Sequence, residues 1–157
     1  MTKNRNHAQP YLDAVYKELA LQGSLFKPTR IVRQLHWGGG TPTFISHDQM
    51  TELMQQTRKH FTLLDDDSGE YSIELGPREV NAASINLLRQ LGFNRISLGV
   101  QDFNPKVQQA VNRIQSYKET RDVVVAAREN QFHSISLDLI YGLPFQTVES
   151  FNETVDR

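Results

Sequence analysis

The 157-residue chain contains no cysteine. That excludes disulfides, thiolate catalysis and a cysteine-ligated zinc or iron–sulfur centre built from these residues. Neither charge is in excess. Seventeen Lys and Arg against 18 Asp and Glu leave a formal net charge of −1, which gives no electrostatic case for DNA, RNA or an anionic membrane. No apolar run approaches the roughly 18 residues of a membrane span, and no signal peptide opens the chain, so a soluble, cytoplasmic protein is expected. The histidines show no metal-ligand spacing and read as surface or packed residues. Neither G-x-S-x-G nor H-E-x-x-H occurs, so nothing suggests a hydrolase or a zinc peptidase.

What is present is a rhythm of strands and helices. Residues 10–22, "PYLDAVYKELALQ", carry Leu12, Val15, Tyr16 and Leu19 at helical spacing, with Pro10 in the first turn and Gly23 as a left-handed stop. "TRIVRQLHWGG" reads as a buried strand. Ser46 to Gln49, "SHDQ", form a capping box whose helix continues through Met50, Leu53, Met54 and Phe61, the two methionines reading as core. After the solvated loop "DDDSGE", a second strand "YSIELGP" leads to a helix "NAASINLLRQLG", capped by Asn81 and closed by Gly92. The third strand is "NRISLGVQ". A short helix follows with Asn104 at the cap and Pro105 at its first position. "SYKE" at 116–119 is a second capping box, opening a helix to about Asn130. "SISLDLIYGLP" is the fourth strand, and "TVESFNETVDR" begins a last helix.

Strand–helix alternation with apolar strands predicts parallel strands covered by helices, joined by right-handed crossovers. The chain opens and closes on a helix and carries only four strands. It is therefore expected to be part of a larger sheet or barrel, with two open edges and some apolar face uncovered.

Polar and glycine-rich positions gather after successive strands: Gly38, Gly39, Gly40 and Thr41; Glu74 with Gly76 and Pro77; Gln101 and Asp102; Asp138 and "YGLP". In parallel α/β folds these carboxyl ends share one face, and ligands bind there. Three consecutive glycines cost roughly 0.5–1 kcal/mol each in a regular element. Their bare amides suit an anionic or zwitterionic group, or they form only a strand exit. The run lacks a P-loop lysine and dinucleotide spacing. Glu74 lies between apolar neighbours and needs a partner, such as a ligand ammonium or hydroxyl. Gln101 suits hydrogen bonding and is poor in acid–base work. Asp138 is an acid embedded in "SISLDLIYGL", expected to be buried and paired either with a ligand or with Arg95 or another interior cation. Arg113 is either a site residue or an ordinary surface arginine.

"LHWGGGTPT", "SIEL-GP", "GFNRISLGVQDFN", "VQQAVNRIQ" and "LDLIYGLPFQT" occur in this order and spacing. Over essentially its whole length the chain resembles the oxygen-independent coproporphyrinogen III oxidase family of radical S-adenosylmethionine (SAM) enzymes. The resemblance implies a partial (βα)6 barrel, residues 1–157 being its central part, with four parallel strands present and the first and later strands missing. It implies that Gly39, Gly40, Thr41, Glu74, Gln101, Arg113 and Asp138 contact SAM, in some members two SAM molecules. It also implies a [4Fe–4S] cluster that reduces SAM to a 5′-deoxyadenosyl radical, which removes hydrogen from two propionates of coproporphyrinogen III. Loss of carbon dioxide and an electron from each then gives the vinyls of protoporphyrinogen IX. An external electron donor and a monomeric enzyme are implied for the intact protein.

The family's C-x3-C-x2-C motif is missing from this chain, and Gly76 stands where the family usually has Asp or Asn. The isolated chain is therefore expected to be inactive. Two alternatives stay open. One is the haem chaperone branch, which shares "GGGTP" and "YGLP" but typically has "GVQSF" in place of "GVQDF". The other is a non-catalytic α/β binding module.

Overall fold

The computed structural model describes residues 4–157. Six helices and six strands alternate along them: α1 (Ala8–Gly23), β1 (Ile31–Val32), β2 (Gln34–Trp37), α2 (His47–His60), β3 (Thr62–Leu63), β4 (Glu70–Leu75), α3 (Ala82–Gln90), β5 (Arg95–Gln101), α4 (Pro105–Ala110), α5 (Tyr117–Glu129), β6 (Ser134–Leu139) and α6 (Val148–Asp156). The main sheet has the order β2-β4-β5-β6, and every pairing is parallel. The expected α/β architecture is therefore present. One expected strand is divided: Ile31 and Val32 leave the main sheet and pair in parallel with Thr62 and Leu63, so a two-stranded ribbon sits beside the four-stranded sheet.

The helix ends follow the local chemistry. Ser46 with Gln49 and Ser116 with Glu119 form reciprocal capping boxes, while Asn81 and Asn104 accept from Ser84 N and Lys106 N. Gly92, at φ +103°, closes α3 as expected. Gly23 does not work that way. It is the last residue of α1, and a Cβ there would stand 2.8 Å from both the Cβ and the carbonyl oxygen of His60. Its smallness lets α1 lie against the end of α2.

The strands are apolar on one face only. Tyr71, Ile73, Leu75, Ile96, Leu98 and Val100 are buried against Met50 and Met54 of α2, Ile85 and Leu88 of α3, and Val123, Ala126 and Ala127 of α5. Phe93 is fully buried, and Trp37 meets its ring edge-on at 4.9 Å between centroids. The other face carries Gln34 and His36, then Ser72 and Glu74, then Arg95, Ser97 and Gly99, then Ser136 and Asp138. Each of these positions is half-buried or exposed. The strands are thus not apolar on both sides, as their composition suggests, but alternate with period two. At the open edge Leu137 of β6 is 47% exposed, the uncovered apolar surface expected of an incomplete sheet.

A polar knot centred on the buried Asn94 ties the amino ends of the strands together. Asn94, 1% exposed, accepts from Tyr71 N and donates to Gly69 O at 2.7 Å. Asp67 receives both terminal nitrogens of Arg89, at 2.9 and 2.5 Å, and faces His133 Nε2 at 2.8 Å. The Arg89 hydrogen bonds hold the Asp67 carboxyl below its usual range.

Candidate functional site

The carboxyl ends of β2, β4, β5 and β6 open on a cavity of about 790 Å³. Gly40, Thr41, Glu74, Gln101, Arg113 and Asp138 all line it. Gly39 is not in the wall itself, but its amide donates to Glu74 Oε2 at 3.1 Å and so holds a residue that is.

The three glycines have different causes. At Gly38 a Cβ would lie 2.3 Å from His36 Nε2 and 3.0 Å from Glu74 Cδ, so two side chains already fill that space. A Cβ on Gly39 would meet nothing within 4 Å. Gly39 and Gly40 are instead required by conformation, at φ +78° and +65°. One oxygen of the Glu74 carboxylate accepts from the Gly39 amide, and the other lies 3.3 Å from His36 Nε2. The Glu74 side chain stays 47% exposed, leaving acceptor capacity toward the cavity.

On β5 the ladder slips. Gly99 pairs with Asp138 but Gln101 with Leu139, which places a bulge between them. Gln101 sits at φ +69°, the left-handed region, an uncommon place for a residue other than glycine. Neighbouring hydrogen bonds hold it there: Ile140 N donates to Gln101 O at 3.0 Å and Asp102 N to Val100 O at 2.9 Å. The freed carbonyl of Gly99 accepts from Arg113 and Gln115, and Val100 O accepts from Gln115 at 2.6 Å. A Cβ on Gly99 would lie 2.8 Å from the Arg113 guanidinium. Arg113 is accordingly half-buried over the strand rather than a free surface arginine, and its Nε is buried without a partner.

Asp138 departs from expectation in two respects. It is exposed, because it projects from the polar face of the edge strand. Nor does it pair with Arg95, which reaches Glu70 at 2.9 Å; Asp138 instead accepts from Ser97 Oγ at 2.8 Å. Gly76, at the position where the resemblance leads one to expect Asp or Asn, also lines the cavity, and a Cβ there would stand 3.0 Å from Glu79 Oε2.

Asp102 lies behind this wall, 1% exposed and outside the cavity. It accepts from Asn104 N, Thr154 Oγ1 and Gln146 Nε2 at 2.6, 2.9 and 2.6 Å. Gln146 in turn accepts from Gly142 N and donates to Ile140 O, so the buried carboxylate fastens the "YGLPFQ" turn to the end of β5.

The wall also contains residues that the sequence reading does not single out, among them Arg5, Arg78, Glu79 and Ser97. Ser97 was legible, since period two puts it on the face of Glu74, with which it pairs in register. Arg5, Arg78 and Glu79 lie on single-turn 3₁₀ segments whose placement no local pattern announces.

The cavity offers acids on separate strands, a left-handed glycine loop and the half-buried Arg113 guanidinium. A zwitterionic cation with hydroxyls fits that donor and acceptor set. An iron–sulfur cluster does not fit these residues. No cysteine exists, and among the described residues no group of three His, Asp or Glu could hold a metal. Among the described residues, too, no helix is long and apolar enough to cross a membrane.

A parallel sheet, covered by helices on one face and opening at its strand ends onto a polar ligand cavity, defines a partial α/β barrel. The sequence profile of the Radical SAM superfamily matches residues 9–157, and the chain belongs to that superfamily, whose members use SAM and a [4Fe–4S] cluster. It is 55% identical over all 157 residues to the oxygen-independent coproporphyrinogen III oxidase of Pseudomonas aeruginosa, covering 34% of that protein. The structure of the Escherichia coli coproporphyrinogen III oxidase, described as a radical SAM enzyme, superposes with a TM-score of 0.93 at 46% identity, over 99% of this chain and 35% of that one. The archaeal Elp3 of Methanocaldococcus infernus shares the fold, with a TM-score of 0.66 at 18% identity over 88% of this chain and 37% of the other. The chain thus spans about a third of the length of the curated relatives it matches.

Proposed function

We propose that this chain is the SAM-binding middle of an oxygen-independent coproporphyrinogen III oxidase, and that residues 1–157 form the central part of its barrel domain. The observation that carries the reading is one cavity lined by Gly40, Thr41, Glu74, Gln101, Arg113 and Asp138. Gly39 acts there through its amide on Glu74. High identity along the whole chain to proteins of that name supports the same reading.

When bound, SAM supplies the organic radical chemistry by which such enzymes act on unactivated carbon. This chain's residues bind and orient. Glu74 and Asp138 present acceptors for an ammonium or for ribose hydroxyls, and Gln101 presents an amide that neither gains nor loses a proton. Arg113 offers a guanidinium to a carboxylate. The left-handed glycine loop brings backbone amides to the ligand without side chains in the way. Coproporphyrinogen III and an electron donor are partners of the whole protein in this reading. The cluster's ligands are not among these 157 residues, so the isolated chain does not turn substrate over.

Equilibrium dialysis with labelled SAM tests the site. The chain should bind SAM, and Asp138→Asn and Glu74→Gln should each weaken binding roughly 10-fold, the scale of a hydrogen bond to a charged group. Unchanged affinity in both variants overturns the assignment. For the reaction, a longer polypeptide containing this chain should convert coproporphyrinogen III to protoporphyrinogen IX without oxygen. Haem binding without turnover would favour the chaperone branch.

A further inference from the structure

His36 belongs to none of the groups expected at the site, yet it touches the best-held of them. It lies on β2, in register with Ser72 of β4, and its side chain projects from the polar face of the sheet. Nδ1 is 2.8 Å from Ser72 Oγ, and Nε2 is 3.3 Å from Glu74 Oε1. A bare ring nitrogen aimed at a carboxylate would set lone pair against lone pair. With Nε2 protonated the ring turns a donor toward Glu74 Oε1; in the neutral ring Nδ1 then accepts from the Ser72 hydroxyl, which otherwise donates to Leu35 O at 3.4 Å, and in the imidazolium both nitrogens donate.

Gly38 completes the arrangement. Any side chain there would collide with the imidazole and with Glu74. The next amide, Gly39 N–H, closes onto the second carboxylate oxygen. Imidazole, carboxylate and glycine loop are therefore one unit in which each part fixes the next.

Resting on the SAM-binding reading above, we propose that His36 is a positioning residue. Its Nε2–H holds the Glu74 carboxylate, and through it the Gly38–Gly40 loop, in the geometry that receives the cationic, hydroxyl-bearing ligand.

The test uses the whole 157-residue chain, SAM as the probe, and hydrogen exchange at the Gly39 amide as a readout independent of ligand. His36→Leu removes the donor, whereas His36→Gln can still donate to Glu74 and accept from Ser72. His36→Leu should weaken SAM binding roughly 10-fold and speed Gly39 exchange. His36→Gln should stay within a few-fold of the parent on both measures. The double variant His36→Leu/Glu74→Gln should bind no more weakly than Glu74→Gln alone, because the two residues act in series. If Glu74→Gln weakens binding while His36→Leu binds within about twofold of the parent, His36 has no positioning role and the SAM reading stands. If the parent chain binds no SAM, that reading fails, and Gly39 exchange then decides for His36 alone. Faster exchange in the leucine but not the glutamine variant supports the role, and equal exchange in all three proteins overturns it.

Discussion

The two faces of the β2-β4-β5-β6 sheet answer different demands. On the helix-covered face Ile73, Leu98 and Val100 are at most 1% exposed, and packing decides which residue fits. On the open face the strands interleave serine, carboxylate and glycine, and hydrogen bonds decide. The difference teaches that a strand can spend alternate residues on stability and on recognition without mixing them, because period two keeps the sets on opposite sides. Substitutions on one face should register in unfolding and those on the other in binding.

The largest effect should come from the covered face. Phe93→Ala removes a fully buried ring packed on Trp37 and should cost about 3–5 kcal/mol in urea unfolding. A cost under about 1 kcal/mol would break the contrast. Next comes the knot at the amino ends. Arg89→Leu leaves Asp67 without its main donors and should cost about 1–2 kcal/mol at neutral pH, less than for a fully buried pair because both side chains are partly exposed. The sign of the pH effect follows from the lowered Asp67 pKa. Its stabilisation is present above the ordinary carboxylate pKa, near 3.9, and is lost as pH falls through the lower folded-state value. Acid unfolding of the parent should show this loss below about pH 4, and Arg89→Leu should show a smaller one, since Asn94 and His133 still favour the Asp67 carboxylate. Equal acid profiles would mean that the pair contributes nothing.

On the open face the ordering should invert. Gly38→Ala places a methyl where His36 and Glu74 lie, and should lower SAM affinity roughly 10-fold while costing under about 1 kcal/mol of stability. A larger loss of stability than of binding would show that the loop is structural. Smallest of all, Ser97→Ala should change stability by less than about 0.5 kcal/mol, since Asp138 stays solvated, with affinity falling no more than a few-fold. A loss as large as that of Asp138→Asn would sharpen the picture by making Ser97 an essential orienter of the acid.

Much of this was legible beforehand. Capping boxes at Ser46 and Ser116, the Asn81 and Asn104 caps and the Gly92 stop are short-range chemistry, and each stands where its residues indicate. The rim positions from Gly40 to Asp138 could be named because strand ends converge whatever the loops do. Three-dimensional facts escaped. Two-residue strands such as β1 and β3 carry no period to detect. Asp138 reads as buried among Leu137, Leu139 and Ile140, yet a strand at the sheet's edge leaves its polar face open. His36 shows nothing as a single residue. Its meaning lies in being two positions before Gly38 on the same strand face, opposite Ser72 and next to Glu74.

The strand order also bears on how the molecule is made. The order in the sheet is the order in the chain, so each new strand adds to the exposed edge of the one before it and none must insert between two already joined. A polypeptide emerging from its amino end can build such a sheet by accretion, each strand–helix unit docking as it is completed. On the growing side the unpaired edge always belongs to the strand most recently synthesised and is exposed only until the next unit arrives, whereas the outer edge of β2 gains no partner from the later strands.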